Sequence, residues 1–171
     1  YPRDDLFQID VGLLATFCEQ INELGDRPRV RVLPRIDHFD RFVSVIVYVP
    51  RDRYDSQARE AIAAYLKDAF AGRLSAFYPD FPHASLARVH FIIGRSGGPT
   101  PAISQRELEA SIRAIVRTWD DALADAVEDA GPEDAVVKVV HGLPKAYRAS
   151  FAPEAGLADA ARIAALSATN P

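Results

Sequence analysis

The residues that could bind a metal ion are spread along the sequence. A metal site needs ligands that meet in space, and at least some of these ligands are usually close together in the sequence. The four histidines do not show this spacing: they are His38, His83, His90 and His141. Cys18 is the only cysteine, and its place in a helical pattern favours a small buried apolar group. The sequence therefore predicts no metal site.

Groups that could bind phosphate or attack a substrate are incomplete. Segment 94–100 (GRSGGPT) has the glycines of a phosphate-binding turn but no lysine, and prolines stand where a dinucleotide fingerprint needs its third glycine. No Gly-x-Ser-x-Gly motif is present, and the carboxylates of Asp120 and Asp121 fall on the polar face of a predicted helix. We therefore predict a flexible loop at 94–100, and neither catalytic nor cofactor-binding residues in this chain.

One short segment could bind a small anion. Residues 50–56 join a predicted strand to the start of a predicted helix, where unpaired backbone amides favour negative charge. Two arginines add positive charge there, so the segment could hold the carboxylate of an amino acid. The predicted effector site consists of Arg51, Arg53, Tyr54 and Asp55. The alternative is a capped turn whose charges are solvated.

A basic row lies near the first predicted strand. Its members are Arg27, Arg29, Arg31 and Arg35, and the last three share one side of the strand. Single-stranded RNA binders use such a sheet surface, with aromatic side chains on the central strands for stacking. Phe42 and Tyr48 could serve, although neither lies in a recognisable RNA-binding signature. One alternative is therefore a sheet-surface binder of single-stranded nucleic acid. The favoured alternative is that these arginines pair with acidic groups on a neighbouring domain.

Apolar periodicity and capping residues predict the elements that must position these groups. In order they are a helix from Asp10 to Gly25, strands 29–36 and 42–49, a helix from Ser56 to Ala71, strands 73–78 and 86–93, and one long helix from Ser104 to Gly131. Segment 79–82 (PDFP) is predicted to be the turn between the third and fourth strands. Three alanine-rich helices, at 133–140, 143–151 and 153–166, are expected to act as connectors.

Composition narrows the class of protein. The 171 residues carry 24 carboxylates against 20 basic groups, which disfavours nucleic acid as a partner, and no apolar run is long enough to span a membrane. We therefore expect partners to include neither nucleic acid nor membrane. The chain opens Tyr1-Pro2-Arg3 and contains no methionine, so we expect a segment of a larger protein. A single cysteine favours a cytoplasmic origin.

Four stretches of the sequence resemble the large bacterial NAD-dependent glutamate dehydrogenases, in the regulatory half that precedes their catalytic domain. They are residues 39–56 (FDRFVSVIVYVPRDRYDS), 86–91 (LARVHF), 116–120 (VRTWD) and 146–154, where Ala-Tyr-Arg leads to Phe-Ala-Pro-Glu. The resemblance implies the second of several ACT-like domains, which are small ferredoxin-like units associated with amino-acid sensing and assembly.

The resemblance also implies a homo-oligomeric parent enzyme that oxidatively deaminates L-glutamate to 2-oxoglutarate and ammonia with NAD. In such proteins the catalytic lysine and aspartate belong to a later region. The glycine-bearing ligand loop of amino-acid-binding ACT domains is not found here. This segment is therefore expected to be non-catalytic, with other domains and subunits of the parent, and an amino-acid effector, as its partners.

The element order predicts an α+β fold. We expect a ferredoxin-like, ACT-like four-stranded antiparallel sheet with two helices on one face, in the circularly permuted order ββαββα, because strand 29–36 can form a hairpin with strand 42–49 and replace a missing last strand. The predicted division is a leading helix and linker at 1–26, the ACT-like domain at 27–131 and a helical connector at 132–171.

The two faces of this sheet differ in composition. The right-handed rule for strand-helix-strand connections places both helices on one face, against valines of the second strand. The opposite face carries Arg29, Arg31 and Arg88 together with a largely apolar set, predicted as an interface: Phe42, Ile46, Tyr48, His90 and Ile92. A face with this many apolar side chains is rarely exposed to water. We therefore expect another domain, a subunit or a helix of this chain to cover it.

Overall fold

The computed structural model describes residues 2–3, 5–25, 28–83 and 85–169. It divides into two compact units, Tyr1–Val116 and Arg117–Pro171. The strands are β1 (Arg31–Ile36), β2 (Phe42–Pro50), β3 (Arg73–His83) and β4 (Leu86–Gly94). The helices are α1 (Val11–Asn22), α2 (Ser56–Ala69), α3 (Gln105–Ile115), α4 (Trp119–Ala130), α5 (Asp134–His141), α6 (Lys145–Ser150) and α7 (Pro153–Thr169).

The first unit is built on a four-stranded sheet in which every neighbouring pair is antiparallel. The strand order is β1-β2-β4-β3, and β1 and β2 form the predicted hairpin, with Arg31 opposite Tyr48 and Ile36 opposite Val43. This order is the ferredoxin-like one after circular permutation, because β1 occupies the edge that a final strand would otherwise fill. The predicted fold class is confirmed.

Strand β3 is longer than the sequence indicates. Pro79 and Pro82 were expected in a turn, but both lie within β3, and Pro79 is opposite Val89. Proline lacks a backbone donor and is tolerated at a sheet edge, where one side of the strand makes no ladder bonds. β3 is such an edge strand, and a register shift between Asp80 and His83 accommodates Pro82. The predicted turn at 79–82 is therefore wrong.

Helices α2 and α3 cover one face of the sheet. Asp55 caps α2 by accepting from the Ala58 amide at 2.7 Å, and Ser104 caps α3 by accepting from the Glu107 amide at 3.2 Å. The core beneath them is formed by side chains from all these elements, among them Val43, Val45, Val47, Val49, Ile62, Leu66, Val89, Phe91, Ile93, Leu108 and Ile112. The predicted helical face is confirmed.

Helix α1 covers much of the opposite face. Asp10 caps this helix. Phe17 within it, and Leu24 just after its end, are buried against the sheet. The side chains they meet come from three strands: Leu33, Ile46, Tyr48 and Leu86. The expectation that a helix of this chain packs on the apolar face is therefore met at Ile46 and Tyr48. Burial raises the pKa of the Tyr48 hydroxyl.

The predicted long helix is two helices. α3 ends at Ile115, and α4 begins at Trp119 after a new N-cap at Thr118. The Thr118 hydroxyl accepts from the Asp121 amide at 3.1 Å, and the Asp121 carboxylate accepts from the Thr118 amide at 3.0 Å. This capping box satisfies backbone donors that a continuous helix would satisfy internally, so it favours a fresh start at this point. α4 ends, as expected, at Gly131, whose φ of 55° is in the left-handed region.

The second unit has its own apolar core. Helices α4, α5 and α7 bury Leu123, Val140 and Ala160, and Trp119 packs beside them. The three C-terminal helices were expected from the sequence, and the structure contains them. The sequence predicted that these helices act only as connectors, but in the structure they also pack on one another. Among the described residues, no helix has the length and apolarity needed to cross a membrane.

The β1-β2 turn is organised by one carboxylate. Asp37 is buried, and its oxygens accept from the Phe39 amide at 3.2 Å and from the Arg41 side chain at 2.8 and 2.9 Å. The hydrogen bonds from Arg41 are the main cause of a lowered pKa for Asp37, which falls from its ordinary 3.8 to about 2, although burial opposes the change. The turn therefore depends on a charged Asp37.

We predict that Asp37→Asn destabilises the chain near neutral pH by about 1 kcal/mol, a value reduced by solvent screening because Arg41 is 63% exposed. A lowered folded-state pKa gives stability that is present above pH 3.8 and is lost as the pH falls toward 2. Urea unfolding from pH 7 to 2.5 should show the difference from the parent chain shrinking below pH 4. Asp52→Asn, at an exposed position, is the control. A difference that stays constant with pH would contradict this explanation.

Candidate functional site

A cavity of about 420 Å³ opens on the α1 side of the sheet, where α1 does not cover it. We call it the sheet-face cavity. Strands β2, β3 and β4 form its floor, and the segment that precedes α1 forms one wall. The lining consists of Pro2, Asp5, Gln8, Phe42, Tyr78, Pro79, Asp80, Arg88, His90 and Ile92. Three of the five predicted interface residues lie here, and the other two are those beneath α1.

A buried carboxylate connects the wall of this cavity to the sheet. Asp5 is only 5% exposed. It accepts hydrogen bonds from the buried side chains of Arg35 on β1 and Ser44 on β2. His90 lies next to this group, with its Nε2 2.7 Å from the Ser44 hydroxyl and 3.6 Å from the Asp5 carboxylate. These contacts fix the N-terminal segment on the sheet.

The same residue types occur in serine hydrolases, but the arrangement differs. In a catalytic triad the histidine lies between the serine and the carboxylate and takes the serine proton. Here the single hydroxyl hydrogen of Ser44 is donated to Asp5, so His90 Nε2 donates to the Ser44 oxygen. The histidine is therefore not placed as a base for Ser44. The cluster is suited to holding the segment rather than to nucleophilic attack.

The rim of the sheet-face cavity is polar and internally paired. Arg88 donates to Asp80 at 2.7 Å across the β3-β4 ladder. The Tyr78 and His90 rings lie 6.1 Å apart between their centroids. The charged side chains at the rim already have partners. The cavity is therefore suited to binding an apolar or aromatic group against Phe42 and Ile92.

A second cavity, of about 290 Å³, lies where β2 leads into α2. We call it the strand-helix cavity. Its lining consists of Arg51, Tyr54, Asp55, Ser56, Arg59, Pro79 and Phe81. The structure thus brings together three of the four residues predicted as an effector site. Arg53, the fourth, lies in the short 3-10 turn that follows β2 and is absent from this lining.

Four residues that line the strand-helix cavity were not among the predicted site residues: Ser56, Arg59, Pro79 and Phe81. Arg59 follows Asp55 by one helical turn, so its position could have been found from helix spacing. Phe81 was missed because its segment was predicted to be a turn. The Arg51 guanidinium stacks on the Phe81 ring, 3.7 Å from its centroid, and the Tyr54 and Phe81 rings meet edge to face at 5.9 Å.

The charges of the strand-helix cavity include both signs. Asp55 already accepts from the Ala58 amide, so the carboxylate occupies part of the helix start that was predicted to bind an anion. Arg59 pairs with Glu60 at 2.9 Å. Among the described residues, no hydrogen bond or ion pair joins the Arg51 guanidinium to an acceptor. Burial raises the pKa of Tyr54, and the positive charge of Arg59 opposes that change.

Three members of the basic row are neutralised within the chain. Arg29 pairs with Glu23 at 2.8 Å, and Arg31 pairs with Glu109 at 3.0 Å. The Asp5 contact described above neutralises Arg35. Partners on a neighbouring domain were expected, and this prediction is wrong for the three arginines, because α3 and the segments around α1 fold back beside β1. Arg27 lies outside the described residues.

Other candidate chemistry is not assembled in the structure. Within the described part of the chain, no group of three His, Cys, Asp or Glu side chains could hold a metal ion. Cys18 is exposed, so the prediction that it is buried is wrong; α1 turns the neighbouring Phe17 to the sheet instead. In the loop 94–100, predicted to be flexible, Arg95 donates to the carbonyls of Phe70 and Pro99 and so ties the loop to the end of α2.

We predict that Asp5→Ala lowers the free energy of unfolding by about 3 kcal/mol, because it leaves the buried Arg35 without its counter-charge. Asp80→Ala is the matched control. Asp80 lines the same cavity, and its substitution also removes the partner of an arginine. Because Asp80 is 53% exposed, its loss should lower the free energy of unfolding by less than about 1 kcal/mol. Urea unfolding of both variants tests the difference. Equal costs would show that burial of the Asp5 pair does not matter.

Comparison with known proteins identifies the family. The family model described as "Glutamate dehydrogenase, ACT2 domain" matches residues 31–120, more than half of the chain, and includes all four strands and both helices of the sheet domain. Its last residue lies just beyond Val116, where the first compact unit ends.

Curated relatives agree over nearly the full chain. The NAD-specific glutamate dehydrogenase of Halomonas elongata is 31% identical over 175 residues, covering 100% of this chain, and that of Pseudomonas aeruginosa is 32% identical over 174 residues, covering 99%. That of Mycobacterium tuberculosis is 26% identical over 180 residues, covering 97%. The chain spans 11% of the length of each relative. The family match, the permuted sheet and the resemblance of the sequence agree, and the chain belongs to the family of glutamate dehydrogenase ACT2 domains.

Proposed function

We propose that this chain is a non-catalytic regulatory and assembly segment of an NAD-specific glutamate dehydrogenase. The parent reaction is the conversion of L-glutamate, NAD and water to 2-oxoglutarate, ammonia and NADH. One observation carries the proposal: almost the whole chain aligns with dehydrogenases of which it spans only 11%. The chemistry therefore has ample room elsewhere in the parent, and NAD is the cofactor of the parent rather than of this segment.

The side chains of this segment support a non-catalytic role. Dehydrogenation of an amino acid needs a base near the substrate and a surface shaped for the nicotinamide cofactor. The glycine loop 94–100 is tied to the end of α2 by Arg95, and its sequence lacks the dinucleotide fingerprint. The cluster of Ser44, His90 and Asp5 is arranged to hold the N-terminal segment. Contacts with other domains and subunits of the same parent remain the natural use of the exposed surfaces.

The strand-helix cavity favours a second, compatible role as an amino-acid effector site. Its 290 Å³ is near the lower end of the range for small-ligand pockets, which suits a molecule of amino-acid size. Arg51 and Asp55 present the two charges that complement a zwitterion. Because the Phe81 ring orients the Arg51 guanidinium, an incoming carboxylate meets a preplaced donor.

The nucleic-acid alternative gains no support from the sheet surface. Phosphate binding requires basic side chains that are available to neutralise phosphates and so displace the counterions condensed on the nucleic acid. Arg29, Arg31 and Arg35 are each paired with a carboxylate, and α1 covers Tyr48, one of the two candidate stacking residues. A salt-dependent mobility shift with single-stranded RNA would be needed to revive this alternative.

We predict that the purified 171-residue chain has no glutamate-dependent reduction of NAD. The measurement is NADH absorbance at saturating glutamate and NAD, with the complete dehydrogenase of a relative as the positive control. The expected rate equals that of a blank without protein. Turnover that rises in proportion to the concentration of the pure chain would overturn the non-catalytic assignment.

We also predict that an amino-acid effector, if titrated from a panel of the standard amino acids, binds at the strand-helix cavity. Loss of one charged contact typically costs about 1.5 to 3 kcal/mol, so Arg51→Ala should weaken binding by at least about tenfold in isothermal titration. Arg106→Ala, at an exposed position on α3 outside the cavity lining, is the matched control and should bind normally. Binding that survives Arg51→Ala, or that is lost equally in Arg106→Ala, would place the site elsewhere.

A further inference from the structure

An exposed aromatic side chain projects from the segment before α1. Phe7 is 90% exposed, and its apolar neighbours Leu6 and Val11 are also exposed. Single exposed apolar residues are common, but a phenylalanine exposed to this degree, with two further exposed apolar residues nearby in the sequence, is a candidate contact residue. Phenylalanine has no polar atom that would gain from this exposure.

The base of this aromatic residue is rigid. Asp5, two residues earlier, is buried and bonded to Arg35 and Ser44. The Gln8 and Ile9 amides both donate to the Asp5 carbonyl, at 3.0 Å each, which holds the intervening turn in shape. Little conformational entropy is therefore lost when Phe7 inserts into a partner, because its backbone is already fixed.

A cavity suited to an aromatic ring lies immediately beside it. Asp5 and Gln8, which flank Phe7 in sequence, both line the sheet-face cavity. The cavity volume of about 420 Å³ exceeds what one side chain needs, and its apolar surface comes from Phe42 and Ile92. The rim charges of Asp80 and Arg88 pair with each other, so a ring that enters leaves neither without a partner.

We propose that a second copy of this chain occupies the sheet-face cavity, with Phe7 of each copy inserted into the cavity of the other. A protruding group and a recess that adjoin on one surface are self-complementary under a two-fold axis, which is the geometry of an isologous dimer. The proposal rests on the assembly role proposed above and gives that role a surface.

The charges and size of this surface define the expected strength. The contact is apolar at its centre and is surrounded by a paired polar rim, as in protein interfaces generally. Its apolar residues are few, so we expect a weak dimer whose population depends on protein concentration.

Sedimentation velocity of the 171-residue chain over a concentration series tests the dimer. The parent chain should shift from monomer toward dimer as concentration rises. Phe7→Ala should weaken association by at least about 30-fold, equivalent to about 2 kcal/mol at a central aromatic contact. Phe39→Ala is the matched control, since Phe39 is 71% exposed at the tip of the β1-β2 hairpin, outside this lining. Both residues are exposed, so both variants should keep the parent's circular dichroism spectrum.

Disulfide trapping locates the contact. In a Cys18→Ser background, one chain carries Leu6→Cys, next to an intact Phe7, and a second carries Tyr78→Cys, on the exposed wall of the cavity. Mixing the two under mild oxidation should give a covalent heterodimer, whereas Phe39→Cys mixed with Tyr78→Cys should not. A chain that stays monomeric throughout, an association insensitive to Phe7→Ala, or a failure to form the first heterodimer would overturn the proposal. The NAD reduction assay is independent of these outcomes, so failure of this contact is separable from failure of the non-catalytic assignment.

Discussion

The fold of the first unit depends on burying β2 on both of its faces. Every residue from Val43 to Val49 is buried, and the side chains alternate between two different cores. A strand of this kind cannot be stable in a sheet with one face in water, because alternate residues would expose Ile46 and Tyr48. Helices α2 and α3 bury the apolar side chains of one face, and α1 must bury those of the other. The leading helix is therefore an integral part of the domain, although the family match begins only at Arg31.

The incomplete cover of that second face explains the features around it. α1 packs over Leu33, Ile46 and Tyr48, while the part of the face formed by Phe42, His90 and Ile92 is left to the short segment before the helix. That segment is held by a buried ion pair, whose net contribution to stability is small because both charges are costly to desolvate. Removal of one partner is nevertheless costly, because it leaves the other charge buried and uncompensated. The sheet-face cavity is the space that remains between the segment and the strands.

The two cavities lie on opposite sides of one edge strand. Pro79 of β3 lines both, while Tyr78 and Asp80 belong to the sheet-face cavity and Phe81 to the strand-helix cavity. Alternation along a strand sends neighbouring side chains to opposite faces, so a single strand can serve a ligand pocket on the helical side and a docking pocket on the other. This separation by faces is what allows both proposals, an effector site and an assembly surface, to stand side by side on one strand.

Local patterns in the sequence were sufficient for the type and order of the elements of the sheet domain, though not for the ends of β3 and α3. Alternation in β1 and β2, the caps Asp10, Asp55 and Ser104, and the right-handed crossover rule led to the correct sheet and helical face, because each acts over a few residues or follows from chain chirality. The grouping of Arg51, Tyr54 and Asp55 was also local. Tertiary structure alone decided what depends on distant partners: the edge position that lets β3 run through Pro79, the pairing of Arg31 with Glu109, and the joining of Asp5 to Ser44 and His90. These partners are separated by 39 to 78 positions in the hydrogen-bonded pairs Asp5–Ser44 and Arg31–Glu109, so no local spacing could announce them. Burial makes these distant pairs important for stability, because a charge removed from water is stable only beside the group that neutralises it.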